Sequence, residues 1–253
     1  MASPDCLAAI VLLLDTSASV SDRLYVAQRD GTASAFETSQ VTRAIEEQGA
    51  VAAMVMEFAF VALVRLEWTL LRDRADATRF AARFRALQRS DRTGNTAVGH
   101  AVASAMRELS FAPCAPQARL IDISTDGIET TPRLPAAKAR EAALAEDVTI
   151  NAILFPPPRG DMTEAEAAAG LAEAEAWLRS HVATGFVRVA TEEEGFALAF
   201  QRKAVTELTA IRRREARGVD AGQAYATSPR LPRLGSFAPG RLSPRPVVST
   251  PPR

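Results

Sequence analysis

The chain is poor in the residues on which nucleophilic enzymes most often rely. It has two histidines, His100 and His181, and two cysteines, Cys6 and Cys114, among 253 residues. No Cys-His or Ser-His nucleophile–base pair is evident around so few imidazoles, so the sequence predicts a non-catalytic protein. An excess of charge is missing too, with 30 basic and 30 acidic residues and a formal net charge of zero. Five arginines (Arg230, Arg233, Arg241, Arg245, Arg253) and one acid, Asp220, fall in residues 218–253. That leaves 25 basic and 29 acidic residues elsewhere, a mildly acidic body with no sign of a nucleic-acid-binding face. No apolar run approaches the length of a transmembrane helix. The opening Met1-Ala2-Ser3-Pro4-Asp5-Cys6 has no basic region, so the apolar run after it reads as a strand and not a signal peptide. As written, the chain is expected to be cytoplasmic. No internal repeat is present.

What the chain does have is 47% apolar residues, enough for one sizeable α/β core. Leu7-Ala8-Ala9-Ile10-Val11-Leu12-Leu13-Leu14 carries no hydrophilic residue and no helical stripe. It reads as a central parallel strand covered on both faces. Asp15-Thr16-Ser17-Ala18-Ser19 follows, placing a carboxylate and two hydroxyls at the strand's carboxyl end, the edge where open α/β sheets bind ligands. Oxygen ligands of this kind suit a hard divalent cation such as Mg²⁺. Further on, Thr93-Gly94-Asn95-Thr96 runs into an alanine-rich helix, and Leu120-Ile121-Asp122-Ile123-Ser124-Thr125-Asp126-Gly127 is a second strand ending in a carboxylate and a turn glycine.

The remaining pattern predicts helices over about 22–36, 41–47, 75–87, 97–109, 135–146, 164–180 and 196–214. Strands are expected at 51–58, 62–68, 118–124, 148–154 and 185–190. Strand 62–68 follows 51–58 too closely to be parallel with it, and its alternation of Arg65 and Glu67 with Val64, Leu66 and Trp68 marks an edge. Thr163-Glu164-Ala165-Glu166 is a capping box, and Pro156-Pro157-Pro158 closes the strand before it. The order argues a doubly wound, mostly parallel six-stranded sheet, 3-2-1-4-5-6, strand 3 antiparallel at the edge and helices on both faces. Asp15 and Asp126 then flank the topological switch point, where a crevice must open. Residues 5–216 are expected to form this domain. Residues 217–253, with seven of the fifteen prolines, are expected to be a disordered tail, Pro229-Arg230-Leu231-Pro232 within it having the form of a P-x-x-P ligand.

The set D-x-S-x-S, T and D-G, in that chain order, resembles the metal-ion-dependent adhesion site of a von Willebrand factor type A domain. The resemblance implies that Ser17, Ser19 and Thr96 offer hydroxyls directly to the metal, and that Asp15 and Asp126 act largely through water. The metal is expected to be Mg²⁺, with Mn²⁺ or Ca²⁺ as alternatives, and the partner a protein presenting an Asp or Glu carboxylate. The longer segments LLLDTSASVSDRLYVAQRDG, the Glu-Trp of LEWTL, TGNTAVGHAVASAM with the Arg before it, IDISTDG after Cys114, and VTINAIL are similar to domain of unknown function family 1194 over roughly residues 5–212. Such proteins commonly look exported, which sets the missing signal apart.

Cys6 and Cys114 both fall near the amino-terminal edge of neighbouring strands. A bridge between them, with a periplasmic or secreted location and a true start further upstream, stands against two unpaired thiols in a reducing compartment. Individually, each of the five oxygen-bearing residues is as well explained as a cap or turn residue. Two other functions remain open. One is a metal-dependent phosphohydrolase using Asp15, although haloacid-dehalogenase-type phosphatases usually carry a second acid where this chain has Ser17. The other is a structural interaction domain whose metal site is vestigial. Glu57 and Glu67 read as structural or solvated, His100 and Arg212-Arg213-Arg214 as helix surface and helix end, and Arg23 and Tyr25 as rim or cover. Asp122, inside a strand, needs a partner such as Arg119 or a buried hydroxyl.

Overall fold

Strand β1 (Asp5–Asp15) is buried from Cys6 to its last residue. Its side chains alternate between two apolar layers: Val11 and Leu13 enter one, and Ile10, Leu12 and Leu14 the other. Each buried Leu or Ile contributes about 1.5–3 kcal/mol, so this one strand anchors both layers. The computed structural model describes residues 4–90, 94–131, 133–156, 160–191 and 194–225, with the backbone alone over 212–225. Thr93, Pro157, Pro158 and the P-x-x-P segment lie outside the described residues.

After β1 come α1 (Asp22–Ala35), α2 (Ser39–Gln48), β2 (Val51–Phe58), β3 (Ala62–Leu71), α3 (Arg74–Arg85) and α4 (Val98–Leu109). They are followed by β4 (Ala115–Thr125), α5 (Ala136–Ala145), β5 (Val148–Leu154), α6 (Glu164–His181), β6 (Val187–Val189) and α7 (Phe196–Tyr225). The sheet order is β3-β2-β1-β4-β5-β6, with only the β2–β3 pair antiparallel. The expected topology is therefore the observed one. One layer is made by α4, α5 and α6, the other by α1, α2, α3 and α7. By its internal contacts the chain divides into Met1–Ala216 and Arg217–Arg253.

Several bounds depart from expectation, β4 starting at Ala115 and β6 covering only Val187–Val189 among them, and two departures have larger consequences. Strand β3 reaches Leu71 and carries a register irregularity between Ala53 and Met56, which lets a half-exposed edge strand curl. Helix α7 runs to Tyr225, so Arg212-Arg213-Arg214 lies within it and is not a helix end. At the amino-terminal edge of the sheet, Cys6 and Cys114 form a disulfide, with Cα atoms 5.8 Å apart. The opposite, carboxyl edge is where β1 and β4 turn in different directions toward α1 and α5.

Candidate metal centre

Asp15 closes β1 with its side chain fully buried. One carboxylate oxygen accepts the Ser17 amide N–H (2.8 Å) and the other accepts the Thr125 hydroxyl across the β1–β4 pair (2.7 Å). This follows from register: Leu14 lies opposite Ser124, which puts Asp15 beside Thr125. Behind it, Gln28 of α1 donates to the Asp15 carbonyl (3.1 Å) and accepts from the Ser124 hydroxyl (2.5 Å). The loop after β1 is fixed by Arg89, whose guanidinium donates to the carbonyls of Thr16 (2.9 Å), Ser17 (2.8 Å) and Val20 (2.7 Å). Arg89 carries no sequence signal of its own, since an arginine after a helix end is ordinary.

From Asp15 the hydroxyls lead outward. Ser17 Oγ and Ser19 Oγ are 3.2 Å apart, and Ser19 Oγ donates to Asp126 Oδ1 at 3.0 Å. The second oxygen of Asp126 is buried and has no hydrogen-bond partner among the described residues. An unpaired carboxylate oxygen in that position is costly in a folded protein. Burial raises the pKa of Asp15, against the hydrogen bonds from Ser17 and Thr125 and the charge of Arg89. Burial, reinforced by the Asp15 charge, pushes Asp126 up to about 7. Two buried carboxylates at one site are short of positive charge. Hydroxyls, carboxylates and an open oxygen form a donor set that fits a hard divalent cation. Among the described residues no three His, Cys, Asp or Glu side chains cluster to hold a metal, so this candidate depends on its serine and threonine oxygens.

Thr96 sits just before α4, buried, and is held by its backbone. Its N–H donates to Thr130 Oγ1 (2.9 Å), and its carbonyl accepts from the amides of Thr130 (3.0 Å) and Thr131 (3.5 Å). The structure therefore joins four of the five expected residues side by side. It ties Thr96 to them through the β4–α5 loop, by way of the Thr96 backbone. The same loop supplies Glu129, whose two oxygens accept the N–H of Gly99 in the first turn of α4 (2.9 Å) and of Ala136 at the start of α5 (3.2 Å). One carboxylate thus caps two helices whose own N-cap residues, Ala97 and Pro135, cannot. A cap reaching in from another loop leaves no local motif, which is why the sequence does not reveal it. Gly99 is needed here, because a Cβ would lie 2.1 Å from the Leu134 carbonyl.

Other singled-out residues turn out to be structural. Glu57 is fully buried, receiving the Tyr25 hydroxyl (2.5 Å), the Ser90 N–H (2.9 Å) and Arg65. Tyr25 is buried with it, while Arg23 stays exposed. Asp122 pairs with neither Arg119 nor a hydroxyl: its partner is Lys203 of α7, which also bonds Glu207 (2.8 Å). Arg119 turns instead to Glu146. His100 is half-buried, and burial with the charges of Arg133 and Arg107 lowers its pKa. Ser180 and His181 do touch, at 2.7 Å, but on an exposed helix end where Ser180 donates to the Ala176 carbonyl and the imidazole stacks on Trp177. Among the described residues no helix is long and apolar enough to cross a membrane.

Solved structures share this architecture at low identity. The proximal thread matrix protein 1 of the mussel byssus, in a form with a zinc-occupied MIDAS motif, matches with a TM-score of 0.59 and 15% identity, over 83% of this chain and 50% of that one. The von Willebrand domain of the type V pilus tip protein Mfa5 from Porphyromonas gingivalis matches with a TM-score of 0.54 and 13% identity, over 83% and 97%. A von Willebrand factor type A protein from Catenulispora acidiphila matches with a TM-score of 0.50 and 19% identity, over 80% and 43%. The chain thus spans half the length of the mussel protein, and these likenesses establish its fold as that of a von Willebrand A domain. None of the curated proteins compared with it matches. The sequence profile of the family described as "Protein of unknown function (DUF1194)" covers residues 5–212, and the chain belongs to that family.

Proposed function

We propose that this protein is a non-catalytic, divalent-cation-dependent protein-binding module. Ser17, Ser19 and Thr96 are the hydroxyl ligands and Asp15 and Asp126 the carboxylates that act largely through water, with Mg²⁺ the favoured ion. The observation that carries the reading is the Ser17–Ser19–Asp126 chain: Ser19 donates to one oxygen of Asp126, and the other is buried with no partner among the described residues. A cation held mainly by neutral hydroxyls keeps much of its charge and offers an open coordination position to an anionic oxygen from outside, such as a partner's Asp or Glu. The protein's own part is rigidity. Arg89 and Gln28 hold the first loop, and Glu129 holds the other two against α4 and α5. Asp15 itself is a poor nucleophile for phosphoryl transfer, being closed to solvent with both oxygens engaged. The disulfide favours an oxidising compartment. The domain proposed to do this spans residues 5–216.

Calorimetric titration of the full chain with Mg²⁺ and Mn²⁺, alongside Asp15→Ala and Ser17→Ala, tests the site. One ion per chain, lost in both variants while circular dichroism stays native, is expected. Equal uptake by wild type and variants would overturn the assignment.

A further inference from the structure

A groove of about 810 Å³ opens beside Asp126 at the same sheet edge, between the start of α1, the β4–α5 loop and α6. It exists because α6 fails to fill it. Of eighteen residues in that helix only Ala174 and Leu178 are buried, and the positions turned to the groove include Ala167, Ala168 and Gly170. A Cβ at Gly170 would meet nothing within 4 Å. Apolar surface is left uncovered as a result: Ile128 is 38% and Met162 43% exposed, with half-buried Leu171 between the polar walls.

The two walls differ in sign. Arg23 stands exposed on the α1 side, lining the groove along with Asp126, and makes no ion pair among the described residues. Across from it, α6 presents Glu164 and Glu173, which are likewise without ion pairs among the described residues. Glu166 adds nothing to this wall, its carboxylate being committed to the Thr163 capping box. An occupant that satisfies both walls must be negative at the metal end and positive at the α6 end, with an apolar middle.

We propose that this groove docks an extended segment of a partner protein reading acid, apolar residue, then Lys or Arg. The acid occupies the cation end, the apolar side chain covers Ile128 and Leu171, and the basic head reaches Glu173, which stands nine residues along α6 from Glu164 and on the opposite rim of its groove-facing side. The stem of a Lys or Arg suits the alanine-lined wall, since its methylenes cover apolar surface while the charge stays at the rim. Opposite charge at the two ends fixes the direction in which the segment lies and rejects its reverse. This rests on the metal-dependent reading above, from which the acid end follows; the apolar and basic preferences rest on the groove alone.

The test is selection of a random peptide display library on the full chain in Mg²⁺, followed by fluorescence polarisation of the best peptide. Gly170→Trp fills the groove at an exposed helix position, and Glu173→Arg reverses one wall; neither residue touches the proposed metal ligands. Enriched peptides of the acid–apolar–basic form, binding at least about tenfold more weakly to both variants, are expected. A peptide whose basic residue is changed to Glu should recover affinity for Glu173→Arg. The Mg²⁺-induced rise in melting temperature should be the same in the two variants as in wild type. Enrichment of acidic peptides without the apolar and basic residues, or equal binding to Gly170→Trp, overturns the groove and leaves the metal reading intact if EDTA abolishes binding. Binding that survives EDTA but is lost in Gly170→Trp removes the acid end together with the metal reading. Failure to enrich any peptide overturns the groove.

Discussion

Lys203 has to satisfy two acids at once in a place water does not reach. It is 1% exposed, between Asp122 of β4 and Glu207 one helical turn on. Burial alone would strip its proton, but the charges of Asp122 and Glu207 more than offset that, and its pKa is raised. With one cation for two carboxylates, burial and the Asp122 charge raise Glu207 well above its ordinary value, and its second oxygen has no hydrogen-bond partner among the described residues. Lys203→Met should therefore destabilise the fold by about 3–5 kcal/mol, measured by urea unfolding, because it strands a buried charge. Glu207→Gln should behave oppositely. An acid whose folded pKa is raised favours the fold at low pH and weighs against it as pH climbs above about 4.5, its unfolded value. The variant should thus match wild type near pH 4 and gain on it toward neutrality. Neither effect was legible beforehand, because Asp122 and Lys203 lie 81 positions apart and a buried strand acid names no partner. Glu129→Ala, which uncaps two helices, should cost about 1–3 kcal/mol in the same assay.

Elements were legible where a single force decides them. The run from Leu7 to Leu14 has only burial to satisfy, and β2 and β5 occupy the expected residues, 51–58 and 148–154. The Thr163 capping box is likewise where its motif puts it, because both of its hydrogen bonds are local. The end of α7 was not legible, since a polar, arginine-rich stretch fits equally well as helix or as the end of one. Among the site loops, the positions of Asp15 and Asp126 followed from strand ends at the switch point. Their interlocking did not, since Arg89, Gln28 and Glu129 act from other elements and show no spacing. The Cys6–Cys114 tie spans 108 positions and joins β1 to β4. Reducing it, or replacing both cysteines by serine, should lower stability by about 2–5 kcal/mol in thermal unfolding with and without reductant.

For the molecule as a whole, the proposed ion should act as a ligand of the native state alone. At a Mg²⁺ concentration of about one hundred times Kd the added stability is about 2.7 kcal/mol. For a domain of this size that amounts to roughly 5–11 °C in melting temperature, reversed by EDTA and absent in Asp15→Ala. A scan unaffected by chelator would count against the metal site without touching the fold. The groove beside α6 is likewise a property of the whole assembly, since no single segment announces it. It arises where an alanine-rich helix is laid over a sheet edge that a bulkier one would close.

The disulfide also decides how tension would travel through the molecule. A partner tugging on the carboxyl rim loads Asp15 and Asp126, the ends of two adjacent parallel strands whose far ends are covalently joined. While the bridge holds, the two strands cannot be drawn fully apart from that rim, even where hydrogen bonds between them give way. In a pulling experiment anchored through this rim, the oxidised protein should hold to higher force than the reduced one.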